Sequence, residues 1–153
     1  VKGAPVIKGY LNKPEATAET IVDGWLHTGD MGWIDEDGFI FIVDRIKDMV
    51  IRGGENIYCA EVESVIFDMD EVAECIVFGV EDTRLGEEVG AAVVTKQGVD
   101  LSAEAIREHC AGHLAKHKIP RYIWFLDDPL PRNANGKFLK REVRDVLDIK
   151  DAA

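Results

Sequence analysis

Between residues 60 and 147 the apolar positions repeat with two periods. Val62, Val65, Ile66 and Met69 fall at i, i+3, i+4 and i+7, one face of a 3.6-residue turn, which predicts a helix over 60–69. Residues 74–80 and 90–96 are apolar runs of strand length, and EDTRLGEEV reads as the loop between them. Ser102 is an N-cap for a second helix running to about residue 116, with Ile106, Cys110 and Leu114 as its buried stripe. Pro120 cannot continue a helix, and 121–126 reads as another strand. After the loop DDPLPRNANGK, Leu139, Val143, Val146 and Leu147 at i, i+4, i+7 and i+8 mark a last helix.

Upstream the pattern is different. Gly3, Pro5, Gly9, Pro14, Gly24 and Gly29 punctuate residues 1–30 into turns. WIDEDGFIFIVD then reads as a β-hairpin, turned at Asp35-Glu36-Asp37-Gly38, with 39–43 as its second strand. Asp44-Arg45-Ile46-Lys47-Asp48 is a charged break, 49–51 resume a strand, and Arg52-Gly53-Gly54-Glu55-Asn56 turns sharply. The expected fold is α+β. A small mixed sheet with helices fills 45–153, preceded by a β-hairpin-rich segment over 1–44.

Composition narrows the function. The 153 residues are 46% hydrophobic and 31% charged, as in a globular protein rather than a disordered one. No apolar run approaches the roughly 20 residues that cross a bilayer, which argues against a transmembrane segment. The polar, Pro-interrupted start is unlike a signal peptide, and the absence of an initial Met reads as a processed or excised piece. A net charge of −11 argues against nucleic acid or anionic membrane as a general partner. The charge is uneven, net −11 over 55–108 and net +5 over 116–144. The acidic part reads as a solvated face; the basic part is either solvated too or meets a phosphate. Cys59, Cys75 and Cys110, odd in number and without metal-ligand spacing, point to free thiols in a reducing, cytoplasmic setting.

Three segments could carry chemistry. In Trp25-Leu26-His27-Thr28-Gly29-Asp30, Asp30 either closes a turn or offers two acceptor oxygens to a vicinal diol such as ribose. Asp44 to Asp48 is either an exposed turn or a linker between mobile bodies, and Gly53-Gly54 after it is either only a tight turn or a place where a backbone approaches a ligand closely. In Pro131-Arg132-Asn133-Ala134-Asn135-Gly136-Lys137, Lys137 is either a surface lysine or a point charge that reaches a phosphate. His109, His113 and His117 stand at i, i+4 and i+8, but without a companion carboxylate they read as structural or surface residues, so no metal site is expected. Neither G-x-x-x-x-G-K nor G-x-G-x-x-G occurs.

Taken in order, KGYLNKPEAT, DGWLHTGDMGWIDEDGFIFIVDRIKDMVIRGGENIYCAEVE and LPRNANGKFLKREVR resemble the C-terminal end of AMP-forming acyl-CoA synthetases. That superfamily also contains luciferase and the adenylation domains of peptide synthetases. The GGENIY and DRIKD forms are most similar to those of fatty-acyl or aryl-CoA ligases, and the resemblance would place the chain in fatty acid metabolism. The resemblance implies that 1–44 ends a large AMP-binding domain and that 45–153 is a small mobile lid.

By the same resemblance, Asp30 and Arg45 contact the ribose, Lys47 is the hinge, and Gly53, Gly54 and Glu55 face the pantetheine of CoA. Lys137 would be the catalytic lysine of adenylation. A carboxylic acid would attack the α-phosphate of ATP, with Mg²⁺ held outside this chain. The lid would then turn, and the CoA thiol would displace AMP. Alternative readings are an adenylation domain that loads a carrier-protein thiol and a non-catalytic binding module. Cys59 stands where many family members have Pro, and Ile51 where some luciferase-like members have a second lysine. The family's phosphate-binding loop and acyl pocket have no counterpart here, so this chain by itself is expected to be inactive and to depend on a larger N-terminal domain.

Overall fold

The computed structural model describes residues 1–153 as two units, Val1–Lys47 and Asp48–Ala153. The division falls three residues after the 44/45 boundary read from the sequence, so Arg45 and Lys47 both lie in the first unit.

In the first unit, Pro14 opens a short helix, α1 (Pro14–Thr20), where its missing N–H costs nothing. The turn signals had not indicated this helix. β1 (Ile21–Val22) and β2 (Trp25–Leu26) pair through Asp23-Gly24, both at positive φ as a tight hairpin demands. β3 (Asp30–Ile34) and β4 (Ile40–Arg45) form the expected hairpin. Its turn is tied by Asp35 Oδ1, which accepts from the Asp37 and Phe39 amides, and Trp33 stacks on Phe41 with ring centroids 4.3 Å apart. No residue of 1–47 is buried.

The second unit holds the entire core. β5 (Val50–Arg52) and β6 (Glu55–Ile57) form a hairpin whose turn is only Gly53-Gly54, so Glu55 and Asn56 belong to a strand and not to the turn. α2 (Cys59–Phe67) follows. β7 (Val72–Asp82) and β8 (Gly86–Thr95) are far longer than their apolar runs, and most of EDTRLGEEV is ladder rather than loop. Only Thr83 to Leu85 turns, with Asp82 Oδ1 accepting from the Arg84 and Leu85 amides.

α3 (Ala103–His113) is capped by Ser102 Oγ, as expected, but ends before a 3-10 turn at Lys116–Lys118. β9 (Tyr122–Phe125) runs parallel to β8, and α4 (Lys140–Val146) closes the regular structure. In α4 only Val143 is buried, and Val146 is 80% exposed, against the stripe expected there.

The sheet order is β6-β5-β8-β7, with β9 also paired to β8. Alternation along β7 and β8 fills both faces of the sheet. Cys75, Val77, Ala91 and Val93 pack with Val62, Ile66, Ile106 and Cys110 of α2 and α3. Ile76, Phe78, Ala92 and Val94 pack with Trp124 and with Val143 of α4. The β7–β8 hairpin is thus a rigid bar buried on both sides, and the loops of interest hang from its ends.

Candidate functional site

Asp30 and Arg45 face each other across the β3–β4 ladder, with Arg45 Nε 3.3 Å from Asp30 Oδ1. The Asp30 amide donates to Thr28 Oγ1, and the Ile46 amide donates to Gly29 O. Thr28, Gly29 and Asp30 line an open groove with Trp25 and His27. A partly exposed carboxylate beside a guanidinium sets acceptor oxygens next to N–H donors, a combination that suits a diol. Lys47 lies in the turn after β4, at the last position of the first unit.

Gly53 and Gly54 both have positive φ, +58° and +89°. The Gly53 amide donates to Leu85 O at 2.8 Å, which hangs the glycine turn on the tip of the β7–β8 hairpin. Three more bonds fix β5 to the same place. The Ile51 amide donates to Glu87 Oε2 at 2.7 Å, and Arg52 Nε and Nη2 donate to Glu88 at 2.7 and 2.8 Å. The hydrogen bond from Arg52 to Glu88 holds the guanidinium above its ordinary pKa against the opposing effect of burial. A Cβ on Gly54 would meet nothing within 4 Å, so the turn presents bare, accessible backbone. Glu55 beside it is exposed.

The Lys137 loop is organised by Asn133. Its Oδ1 accepts from the Asn135 and Lys137 amides, and its backbone pairs with Lys137 and Gly136. Arg132 ties this loop to the sheet. It donates to Gly136 O and Glu74 Oε1, and its guanidinium lies 3.8 Å from the Phe138 ring centroid. Glu74 also accepts from the Leu130 amide. Burial alone would raise the Glu74 pKa, but Arg132 and the Leu130 amide bring it below the ordinary value. Lys137 is exposed and lines a cleft of about 370 Å³ with Asp48, Phe138 and Arg141.

Lys140 lines the same cleft, and its Nζ sits 2.6 Å from Glu63 of α2 and donates to Val77 O. Burial lowers the Lys140 pKa, and the adjacent Glu63 carboxylate more than reverses that. Glu63, Glu74, Glu88, Arg52, Arg132 and Lys140 escaped the reading of the sequence. The available signal was a charged residue inside an apolar run, at Glu74; Glu88 stands in the charged stretch that read as loop.

The loops occupy opposite ends of one bar. Glu74, which anchors the lysine loop, is eight residues along β7 from Asp82, beside the glycine turn. At strand rise this is roughly 26 Å. The histidines are engaged locally, His109 Nε2 on Val65 O and His113 Nδ1 on His109 O. No group of three or more His, Cys, Asp or Glu converges as a metal-ligand set. None of the cysteines forms a disulfide; all three are buried, and burial raises the Cys75 thiol pKa and takes that of Cys110 to about 11.

The family described as "AMP-binding enzyme C-terminal domain" matches residues 61–137. The chain belongs to this family. An AMP-binding C-terminal domain accounts for the mixed sheet with helices on both faces. A 2-succinylbenzoate–CoA ligase of Geobacillus sp. (strain WCH70) is 46% identical over 147 residues, 96% of this chain and 30% of the relative. A counterpart in Bacillus cereus is 48% identical over 148 residues, 97% of this chain and 30% of the relative. The o-succinylbenzoate CoA synthetase of Bacillus subtilis, solved with its acyl-adenylate intermediate, superposes with a TM-score of 0.87 at 42% identity, over 95% of this chain and 30% of that one. The chain therefore spans about 30% of the length of the relatives it matches. These relatives lend no support to the expected place in fatty acid metabolism. No helix of this AMP-binding C-terminal domain is long and apolar enough to cross a membrane.

Proposed function

We propose that this AMP-binding C-terminal domain is the lid of an ATP-dependent, AMP-forming acid–CoA ligase whose acid is an aryl dicarboxylate of the 2-succinylbenzoate type. The names of its relatives support the acid. The observation that carries the two-step chemistry is the placement of an exposed lysine and a bare glycine turn at opposite ends of one rigid hairpin. A body built this way offers one end or the other to a single site, so each half-reaction uses its own loop.

In the first step Lys137 supports attack of the carboxylate oxygen on the α-phosphorus of ATP as the bond to pyrophosphate breaks. Its ammonium offsets the charge concentrated there. Asp30 and Arg45 hold the ribose hydroxyls. In the second step the domain turns about Lys47, and the Gly53-Gly54-Glu55 turn borders the path of the CoA thiol. The thiol sulfur bonds to the acyl carbon as its proton passes to solvent, and AMP leaves with the bonding electron pair. Mg²⁺ would accompany ATP, neutralising charge on its phosphates. Residues 1–44 then belong to the larger AMP-binding domain and 45–153 to the lid.

The test is a pair of separated half-reactions on the full-length enzyme, with 2-succinylbenzoate and a medium-chain fatty acid compared side by side. ATP-dependent, AMP-releasing thioester formation from 2-succinylbenzoate, at least tenfold faster than from the fatty acid, is expected. Equal or reversed rates would overturn the substrate, and thioester formation without an adenylate would overturn the mechanism.

A further inference from the structure

β8 carries one fully buried charge. Glu88 is 2% exposed, and every other residue from Val89 to Val94 on its strand is apolar and buried. Taking a carboxylate out of water costs several kcal/mol even when it is paired, and a well-packed apolar pair of similar size is often as stable or more so. Stability alone therefore gives Glu88 no reason to be Glu. Its geometry does. Both oxygens are engaged by the planar fork of Arg52, and Arg121 Nη1 approaches at 3.6 Å from the start of β9. Arg52 is the residue directly before Gly53. The only ladder pair between β5 and β8 is Arg52–Gly86, so the β5–β6 hairpin would otherwise be weakly joined to the rest of the sheet.

We propose that Glu88 is a positioning residue for the thioester-forming step, locking Arg52 and so setting where the Gly53-Gly54 turn stands. This rests on the role given above to that turn. A turn that works through bare backbone has no side chain to adjust its own reach. Its placement must come from neighbours, and a bidentate ion pair fixes both distance and orientation where apolar contacts would allow sliding. Glu87 holds the Ile51 amide from the adjoining position, so two consecutive carboxylates grip two consecutive residues of β5.

The experiment uses the full-length enzyme with Glu88→Gln and the double variant Arg52→Met/Glu88→Met. Gln keeps the shape but offers one acceptor and two donors, so one guanidinium N–H meets another N–H. For Glu88→Gln, thioester formation from supplied acyl-adenylate and CoA should fall at least tenfold, read in kcat/KM for CoA. Acyl-adenylate formation should stay within twofold, with KM for ATP unchanged. Amides of 51–54 should exchange faster while those of 75–79 do not. The Met pair should restore the melting temperature but not the thioester rate, which separates placement from stability.

Full thioester activity in the Met pair, or equal slowing of both half-reactions in Glu88→Gln, would sink the proposal. Gly54→Leu serves as the reference. If it blocks thioester formation while Glu88→Gln does not, the turn keeps its role and the clamp alone fails. If Gly54→Leu also leaves that step intact, the role of the turn fails, and the clamp with it.

Discussion

The two ends of the β7–β8 hairpin are held by opposite kinds of structure. At the tip, the glycine turn is bonded through its own backbone to Leu85, and through Ile51 and Arg52 to Glu87 and Glu88. At the other end the lysine loop is a seven-residue excursion, Pro131 to Lys137, organised by Asn133 and tied to the sheet by the Glu74–Arg132 pair. In that pair the Arg132 and Glu74 side chains are 44% and 20% exposed, whereas those of Arg52 and Glu88 at the tip are 27% and 3% exposed. A backbone element must stand in one place to be useful, whereas an ammonium on four methylenes needs only an anchored base and room to reach. Burial and bidentate geometry therefore collect where the backbone acts, and exposure where the side chain acts.

The largest expected effect tests the lysine end. Lys137→Ala should slow acyl-adenylate formation roughly 10²–10³-fold, the usual loss when one preorganised donor is removed. Thioester formation from supplied acyl-adenylate should be nearly unchanged. Equal loss in both steps, measured by pyrophosphate release and by thioester appearance, would make the two ends equivalent and erase the comparison.

At the glycine end the expected effect is smaller and reversed. Gly54 has φ +89°, where a residue with a Cβ is strained by about 1–2 kcal/mol. Its surroundings have space, so Gly54→Ala should cost stability and little else. Gly54→Leu adds bulk on the face offered to the thiol and should slow thioester formation about tenfold beyond Gly54→Ala, with adenylation intact. If Ala and Leu behave alike in the thioester assay, backbone strain rather than blockage explains the loss.

Lys47→Pro asks whether exchanging the two ends requires rotation at that residue. Pro fixes φ near −65° and removes the amide hydrogen. One half-reaction should survive, and we expect adenylation to do so while thioester formation falls several-fold. Parallel decline of both, followed by stopped-flow, would put the pivot elsewhere.

Much of this arrangement was legible in the chain, because the signals were local. The 33–44 hairpin follows from its Asp-Gly turn, α2 from four apolar positions, and the start of α3 from Ser102. Asp30, Arg45, Gly53, Gly54 and Lys137 stood out as polar or glycine residues in turns, and the family resemblance gave each an expected role. The hairpin's true length was not legible. Glu81, Asp82, Glu87 and Glu88 read as loop, because a charged residue reveals its partner only in three dimensions. Glu88 meets Arg52 across 36 positions, and Glu74 meets Arg132 across 58. Period and composition carry no trace of contacts at that separation. They produced a loop where the structure has a bar, and so hid the opposition of the two ends.

The smallest effect probes the lysine anchor. Glu74 is a partly exposed carboxylate whose pKa lies below its ordinary 4.5, because the bond from Arg132 and the amide of Leu130 outweigh burial. A depressed carboxylate contributes stability that is present above its unfolded pKa and lost as pH falls through the folded one. The lysine loop should therefore stay anchored at neutral pH and loosen only below about pH 4.5. Acid also affects the tip, since the Leu85 and Arg84 amides depress Asp82, so pH alone does not separate the ends. Glu74→Gln does, at pH 7. An exposed pair of this kind contributes about 1 kcal/mol or less, so melting should barely shift. Protection factors for the amides of 130–139 should fall severalfold while those of 51–54 hold. Adenylation should slow two- to fivefold, with thioester formation unchanged. Loss of protection at both ends would mean that the hairpin transmits strain along its length, and that the two loops are not independently held.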